Sequence, residues 1–313
     1  GYLWNAREQL YLPNVPDALL SANRFYTAPA DQGRSIMTWI DGNLNNEVDN
    51  GEYRDFAKSM FPAVSPGFFD VDTLAEAETV VNYVRGIEIP GTRSRTIRYG
   101  SEARANVMRL GDIINSTPTV VGAPQEAFNL LYGDRSYTDF RRQYQERRIM
   151  VYAGGNDGLL HAFNGGFYEV TSDDYGNKTI AYTVSRKDAS NNPLDISHPL
   201  GSEIWAYAPK NLLAHLRWLK DPNYAASHVF YLDGKPRIFD ANIFTPDADH
   251  PGGWGTVLVA GMNTGGGEME VDTSGDDLLA GDRGSDNIFT RSAYVLLDIT
   301  NPEQQPRLLG ELQ

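Results

Sequence analysis

The chain has 313 residues, 27 basic and 41 acidic for a net charge of −14, and no cysteine. With 41% hydrophobic residues, 17 Tyr, 13 Phe and 5 Trp, it has the core material of a folded chain, which excludes intrinsic disorder. The missing cysteines exclude disulfides, thiolate-ligated zinc, iron–sulfur clusters and a thiol nucleophile, the acidity argues against nonspecific nucleic-acid binding, and no apolar run reaches the roughly 18 residues of a spanning helix.

The opening residues GYLWNAREQL lack the basic and then apolar pattern of a secretion signal, so the chain reads as cytoplasmic or as a mature or excised piece of a longer one. Residues 1–109 read as a small mixed α/β segment, a linker to or the end of an N-terminal domain. Ser35–Ile40 is a predicted buried strand. Asp72–Arg85 is a predicted helix: Thr73 and Glu76 have capping-box spacing, Leu74, Ala77, Val81 and Val84 fall on one face, and Gly86 ends it.

From residue 110 onward short β-rich runs alternate with Gly, Asn, Asp and Pro. Predicted strands lie at 117–121, 148–153, 159–163, 178–184, 203–208, 229–232, 237–239, 256–261 and 292–299. Asn156-Asp157-Gly158 between two of them is a hairpin signal, with Gly158 supplying a positive φ. One predicted helix, Asn211–Lys220, interrupts them, with Leu212, Leu213, Leu216 and Leu219 at helical spacing. The pattern is that of a mainly β protein: a sandwich, barrel or propeller.

Four groups of residues carry a family resemblance. They are Leu110-Gly-Asp-Ile-Ile-Asn-Ser-Thr-Pro-Thr-Val-Val-Gly122; Val151-Tyr-Ala-Gly-Gly-Asn-Asp-Gly-Leu-Leu-His-Ala-Phe163; Trp205-Ala-Tyr-Ala-Pro-Lys-Asn-Leu-Leu213 with Tyr231-Leu-Asp-Gly234; and Leu258-Val-Ala-Gly261 with Ala293-Tyr-Val-Leu-Leu-Asp-Ile-Thr-Asn-Pro302. In order and spacing they resemble the C-terminal β-propeller of the PilC/PilY family of type IV pilus tip-associated adhesins. The resemblance implies an incomplete β-propeller over 110–313, built of four-stranded blades with helical insertions. At about 40–50 residues per blade this stretch suits three to four blades.

Two acidic segments are candidate calcium sites. In the first, Asp41, Asn43, Asn45, Glu47, Asp49 and Glu52 fall at positions 1, 3, 5, 7, 9 and 12 of a 12-residue span, the oxygen spacing of an EF-hand loop, with Asn46 in place of its Gly. The second, Gly275–Asp286, resembles one turn of an RTX β-roll repeat. Asp272, Asp276, Asp277, Asp282 and Asp286 are its candidate ligands. For both segments a solvated polar loop stands as the alternative. The five histidines are scattered, and His161, inside a predicted strand, reads as a satisfied core histidine. No nucleophile–His–acid arrangement, G-x-S-x-G or phosphate loop is present. Arg93, Arg95, Arg98, Arg104 and Arg109, and again Arg141, Arg142, Arg147 and Arg148, read as solvated, ion-paired faces or as docking patches for acidic pilin subunits.

The resemblance implies a non-catalytic interaction platform, exported through the periplasm to the pilus tip or outer cell surface. It would support pilus biogenesis and adhesion, with minor pilins, other pilus subunits and a host-cell or surface receptor as partners and Ca²⁺ ordering an acidic loop. The alternatives are a quinoprotein-type propeller dehydrogenase and a secreted glycan-binding propeller.

Overall fold

The computed structural model describes residues 3–11, 19–20, 33–61, 63–98, 105–172, 176–274 and 287–313. In chain order the first part contains helix α1 (Ala6–Tyr11), strands β1 (Ile36–Trp39) and β2 (Tyr53–Asp55), helix α2 (Leu74–Arg85) and the hairpin β3 (Thr96–Arg98)–β4 (Ala105–Val107). Helix α2 forms where its capping signals stand. Thr73 Oγ1 accepts the Glu76 N–H and donates to Glu76 Oε2, and Gly86 closes the last turn at φ 115°. Its buried face is Ala77, Val80, Val81, Tyr83, Val84 and Arg85. Leu74, expected on that face, is exposed in the first turn, beyond the reach of the core.

The remaining elements form two antiparallel meanders. Sheet one runs β5 (Thr119–Val121), β6 (Ile149–Gly154), β7 (Leu160–Ser172) and β9 (Glu203–Ala208). Helices α3 (Phe128–Leu131) and α4 (Ser136–Tyr144) lie between β5 and β6, and the edge strand β8 (Lys178–Thr183) pairs with the far half of β7. Sheet two runs β10 (Arg237–Asn242), β11 (Trp254–Gly261), β14 (Tyr294–Asp298) and β15 (Arg307–Leu312). A short hairpin, β12 (Met269–Asp272) with β13 (Asn287–Thr290), is inserted between β11 and β14. Among the described residues these are two propeller-type blades, and they do not close into a ring. The length suggested three to four. The residues that suggested the extra blades are spent on the β5–β6 helical insertion, the long β7–β8 hairpin, the 210–220 helix and the β12–β13 insertion. The run 229–232, expected as a strand, has no strand pairing and bends at Leu232.

Sheet one does not stop at β9. Strand β1 pairs with it in parallel, Met37 opposite Tyr207, and β2 pairs with β1 in antiparallel. Parallel strands covered on both faces read as near-continuous apolar runs, and all residues of β1 and β9 are buried. The cover over this layer includes α2 and the 3-10 helix Lys210–Lys220, which buries Leu212, Leu213, Leu216 and Leu219. The expected 211–220 helix is present, in the tighter 3-10 form, directly after Pro209. One apolar cluster runs from Ile36 to Leu308 through both sheets.

The two sheets are bolted together beside their edge strands β5 and β10. Asp233 accepts the Asn115 N–H (3.1 Å), Asn115 Nδ2 (2.5 Å) and Thr264 Oγ1 (2.8 Å). Gly154 lies so close to the Leu232 carbonyl that a Cβ there would sit 2.2 Å from its oxygen. Arg147, expected on a solvated face, crosses the junction and donates to Thr256 Oγ1 and the Thr300 carbonyl.

Candidate metal loops and the polar junction

The Asp41–Glu52 segment links β1 to β2 and folds back on itself. Its two ends, Asp41 and Glu52, are buried, and its middle is exposed. Asp41 accepts the backbone N–H groups of Asn45 and Asn46, both at 3.1 Å. Asp49 Oδ2 accepts the amides of Asn43 (2.8 Å) and Asn45 (2.9 Å). Glu52 accepts the N–H groups of Gly42 and Asp49 and the Trp39 indole. The structure thus brings Asp41, Asn43, Asn45, Asp49 and Glu52 into one hydrogen-bonded loop. Glu47 contributes only its backbone N–H, to Asn45 Oδ1 at 2.7 Å. Asn46, standing where an EF-hand has Gly, has φ 61°, which an Asn tolerates.

All-oxygen donors of this kind suit a hard cation such as Ca²⁺. A cation from the chain itself is already there. Lys210 reaches in from the 3-10 helix, its ammonium 2.9 Å from Asp41 Oδ2, 3.1 Å from Asn46 Oδ1 and 4.2 Å from the centre of the Trp39 ring. Among the described residues no three His, Asp or Glu side chains converge in a metal-binding geometry.

Of the second candidate group only Asp272 is described. It ends β12, and its Oδ1 accepts the Ser274 N–H and Oγ–H. Asp276, Asp277, Asp282 and Asp286 lie outside the described residues.

The largest polar construction was not legible in the sequence. Arg34 pairs bidentately with Glu203 at 2.7 and 2.8 Å. Glu203 Oε1 lies 2.8 Å from His161 Nδ1, and His161 Nε2 lies 3.1 Å from Asp157 Oδ1. Asp157 in turn accepts the Gly111 N–H at 2.8 Å. Burial opposes charge on His161, but Asp157 and Glu203 outweigh it and raise its pKa to about 9. Burial also works against the Glu203 carboxylate, yet Arg34 and His161 hold it far below its ordinary range. Asp157 is depressed in the same way, chiefly by His161. His161 is therefore a core histidine with both ring nitrogens bonded, as its place within a strand implied. Its role is to pin the Asn156–Gly158 turn and β9 to the N-terminal segment.

The arginine stretches divide in the same manner. Arg141 and Arg142 are exposed on α4, Arg142 pairing with Asp139 at 3.1 Å. Arg109 and Arg148 are buried: Arg148 is bidentate to Glu303, and Arg109 donates to the Gly86 and Leu10 carbonyls. Arg104 lies outside the described residues. Apart from the i,i+3 pair Arg142–Asp139, none of these pairings had a local signal, since the partners are separated by 23 to 155 residues.

These features describe a propeller-type β protein whose first blade is completed by the segment preceding it. The family model described as the PilY1 β-propeller domain matches residues 110–282, and the chain belongs to that family. Among curated proteins it is similar to a type IV pilus biogenesis factor PilY1 homolog of Xylella fastidiosa. The two are 31% identical over 192 residues, covering 59% of this chain and 12% of that protein. It is likewise similar to type IV pilus biogenesis factor PilY1 of Pseudomonas aeruginosa strain PAO1, 30% identical over 161 residues, covering 50% of this chain and 10% of the relative. The matched stretch is thus about a tenth of the length of these relatives. No solved structure matches the chain. Among the described residues no helix is long and apolar enough to cross a membrane.

Proposed function

We propose that this chain is part of a type IV pilus biogenesis factor that acts at the pilus tip or outer cell surface as a non-catalytic platform. Its rigid paired blades would present loops to minor pilins and to a surface or host-cell receptor. The observation that carries this reading is the family match over residues 110–282, supported by relatives named as pilus biogenesis factors. Immunogold labelling of cells and sheared pili with antibody to this segment tests it. Label at pilus tips is the expected result, and label absent from both pili and cell surface would sink it.

Within this reading we propose that Ca²⁺ binds the β1–β2 loop by displacing the Lys210 ammonium and drawing together Asp41, Asn43, Asn45, Asp49 and Glu52, whose carboxylates do not converge on one point without it. The all-oxygen donor set supports it. The ion would supply charge neutralisation that orders the loop, and so the edge of sheet one, without taking part in a reaction. Calorimetric titration with Ca²⁺ checks this. Glu52→Gln should abolish the binding and Lys210→Met should strengthen it, whereas no heat from the unaltered chain would remove calcium from the proposal.

A further inference from the structure

We propose that the cleft between α2 and sheet one binds a carboxylate carried on a compact apolar group, with Arg93 and Asn156 as the hydrogen-bond donors. The cleft has a volume of about 280 Å³. Its floor is apolar, with Val84, Leu110 and Leu219, and the rings of Tyr83 and Tyr224 stand in its wall.

Two side chains on this wall, Arg93 and Asn156, have N–H groups that meet no acceptor among the described residues. The Arg93 guanidinium lies 4.2 Å over the Tyr224 ring, and its Nε donates to the Tyr83 hydroxyl at 3.1 Å. The Tyr83 hydroxyl in turn donates to the Arg93 carbonyl, and the Arg93 N–H donates to the Lys220 carbonyl. The side chain is therefore oriented before any ligand arrives, and its terminal amino groups meet no acceptor among the described residues. Asn156 is 4% exposed. Its Oδ1 accepts the Tyr231 N–H at 3.0 Å, which fixes that atom as the oxygen, and its buried Nδ2 has no acceptor among the described residues. An unpaired buried donor of this kind costs stability, which an acceptor brought by a ligand would recover.

The charge balance of the wall has the matching sign. Asp157 is neutralised by His161 and also holds the Gly111 N–H. Asp112 Oδ2 lies 3.0 Å from His228 Nε2, Arg95 is paired with Glu88 at 3.1 Å, and Arg109 donates to the Gly86 and Leu10 carbonyls. Among the described residues the Arg93 guanidinium has no carboxylate partner, and three arginines, Arg93, Arg95 and Arg109, line the cleft against two aspartates, Asp112 and Asp157. A guanidinium fork offers parallel N–H groups that fit a planar carboxylate, and the apolar floor asks for a hydrocarbon body behind it. Ligand pockets usually start near 300 Å³, so this cleft takes one amino-acid-sized group and not an oligomer. A protein C-terminus ending in an apolar residue and a free aromatic acid share this chemistry. The inference does not depend on the pilus reading.

Calorimetric titration of the whole chain with N-acetylphenylalanine, its carboxamide, a tetrapeptide ending in a free Phe carboxylate and inorganic phosphate tests the proposal. The acid is expected to bind at least about tenfold more tightly than the amide, a difference of about 1.4 kcal/mol. Arg93→Met should remove that preference. Asn156→Asp, which keeps the acceptor for the Tyr231 N–H and replaces the donor by an oxygen, should weaken the acid by a similar factor. The Arg93 change leaves both backbone contacts in place, and far-UV circular dichroism checks the fold of each variant. Tetrapeptide binding equal to or tighter than the acid upholds the site with a chain terminus as its ligand, and acid binding alone upholds it with a free acid. No binding of the acid, equal binding of acid and amide, undiminished binding by the Arg93→Met chain, or phosphate binding as tight as the acid would each overturn the proposal.

Discussion

Sheets one and two share a four-stranded antiparallel meander, but they end differently. The last strand of sheet one, β9, is covered by β1 from far upstream, so that every one of its side chains is buried. The last strand of sheet two, β15, has no further partner strand among the described residues, and its Leu312 is exposed. The polar anchoring differs too. Sheet one relies on full charges recruited over long distances, Arg34 to Glu203 to His161 to Asp157. Sheet two combines short-range hydroxyl–carboxylate bonds, Thr300 to Asp298 at 2.6 Å and Thr256 to Asp240 at 2.7 Å, with one longer-range contact, His250 Nε2 to Asp298 Oδ2 at 3.0 Å. In both blades these polar groups are largely buried and satisfied internally, and the covered edge of sheet one adds the Arg34–Glu203 ion pair to them. Residues 33–98 are thus part of what makes the first blade a stable sheet.

The most drastic way to break this comparison is deletion. A chain starting at Leu110, where the family match begins, would expose β9 with its sequence Glu203-Ile-Trp-Ala-Tyr-Ala208 as an unpaired apolar edge. It should aggregate in size-exclusion chromatography where the full chain elutes as a discrete species, and a monomeric, cooperatively unfolding product would count against the shared core.

Next in size is Glu203→Ala, which strands Arg34 and His161 as buried charges. It should cost about 3–5 kcal/mol in denaturant unfolding, as breaking buried ion pairs does. Leu297→Ala in sheet two should cost about 2–5 kcal/mol through its cavity. The two can be told apart by pH.

His161 is raised above the ordinary histidine value to about 9. Its contribution is therefore complete below about pH 6.5 and is lost as pH rises through about 9. Glu203 and Asp157 are depressed, so theirs is present above the carboxylate range and lost as pH falls through it. Stability should decline by a few kcal/mol between about pH 6.5 and 9 in the unaltered chain, measured by urea unfolding. His161→Gln should flatten that decline, and Leu297→Ala should leave its slope unchanged. A slope that survives the His161 change would reassign the titrating group.

The smallest expected effect is at the bolt between the sheets. Asp233→Ala leaves the Asn115 and Thr264 donors without their acceptor and should cost about 1–3 kcal/mol. It should also raise hydrogen exchange at the Asn115 and Gly234 amides while the amides of β9 stay protected. Uniform loosening of both sheets would show that the junction is not a local fastening.

How much was legible follows from the range of each interaction. The capping box of α2, the Asn156–Gly158 turn with Gly158 at φ 86° and the buried run at β1 could be read from the sequence because their causes lie within a few residues. The oxygen spacing of Asp41–Glu52 was equally readable, and the loop does gather most of those side chains. The entry of Lys210 into it could not be read, because it depends on where the helix after β9 lands. Leu74 was misplaced by a periodicity that ignores how far the core extends, and Arg109, Arg147 and Arg148 by a composition argument that ignores burial.

By itself, then, the sequence determined the local grammar of the chain: short strands, tight Gly-bearing turns, two helices, and a set of motifs specific enough to point to its family. Those depend on backbone sterics and on side chains within one turn of each other. The tertiary structure alone decided that β1 joins β9 in parallel, that a charged chain four residues long runs through the first sheet, and that Arg93 and Asn156 face one cleft. Each of these depends on residues more than sixty positions apart, such as Arg34 and Glu203 at 169, where no periodicity carries information and only the packing of the two sheets against α2 selects the partner.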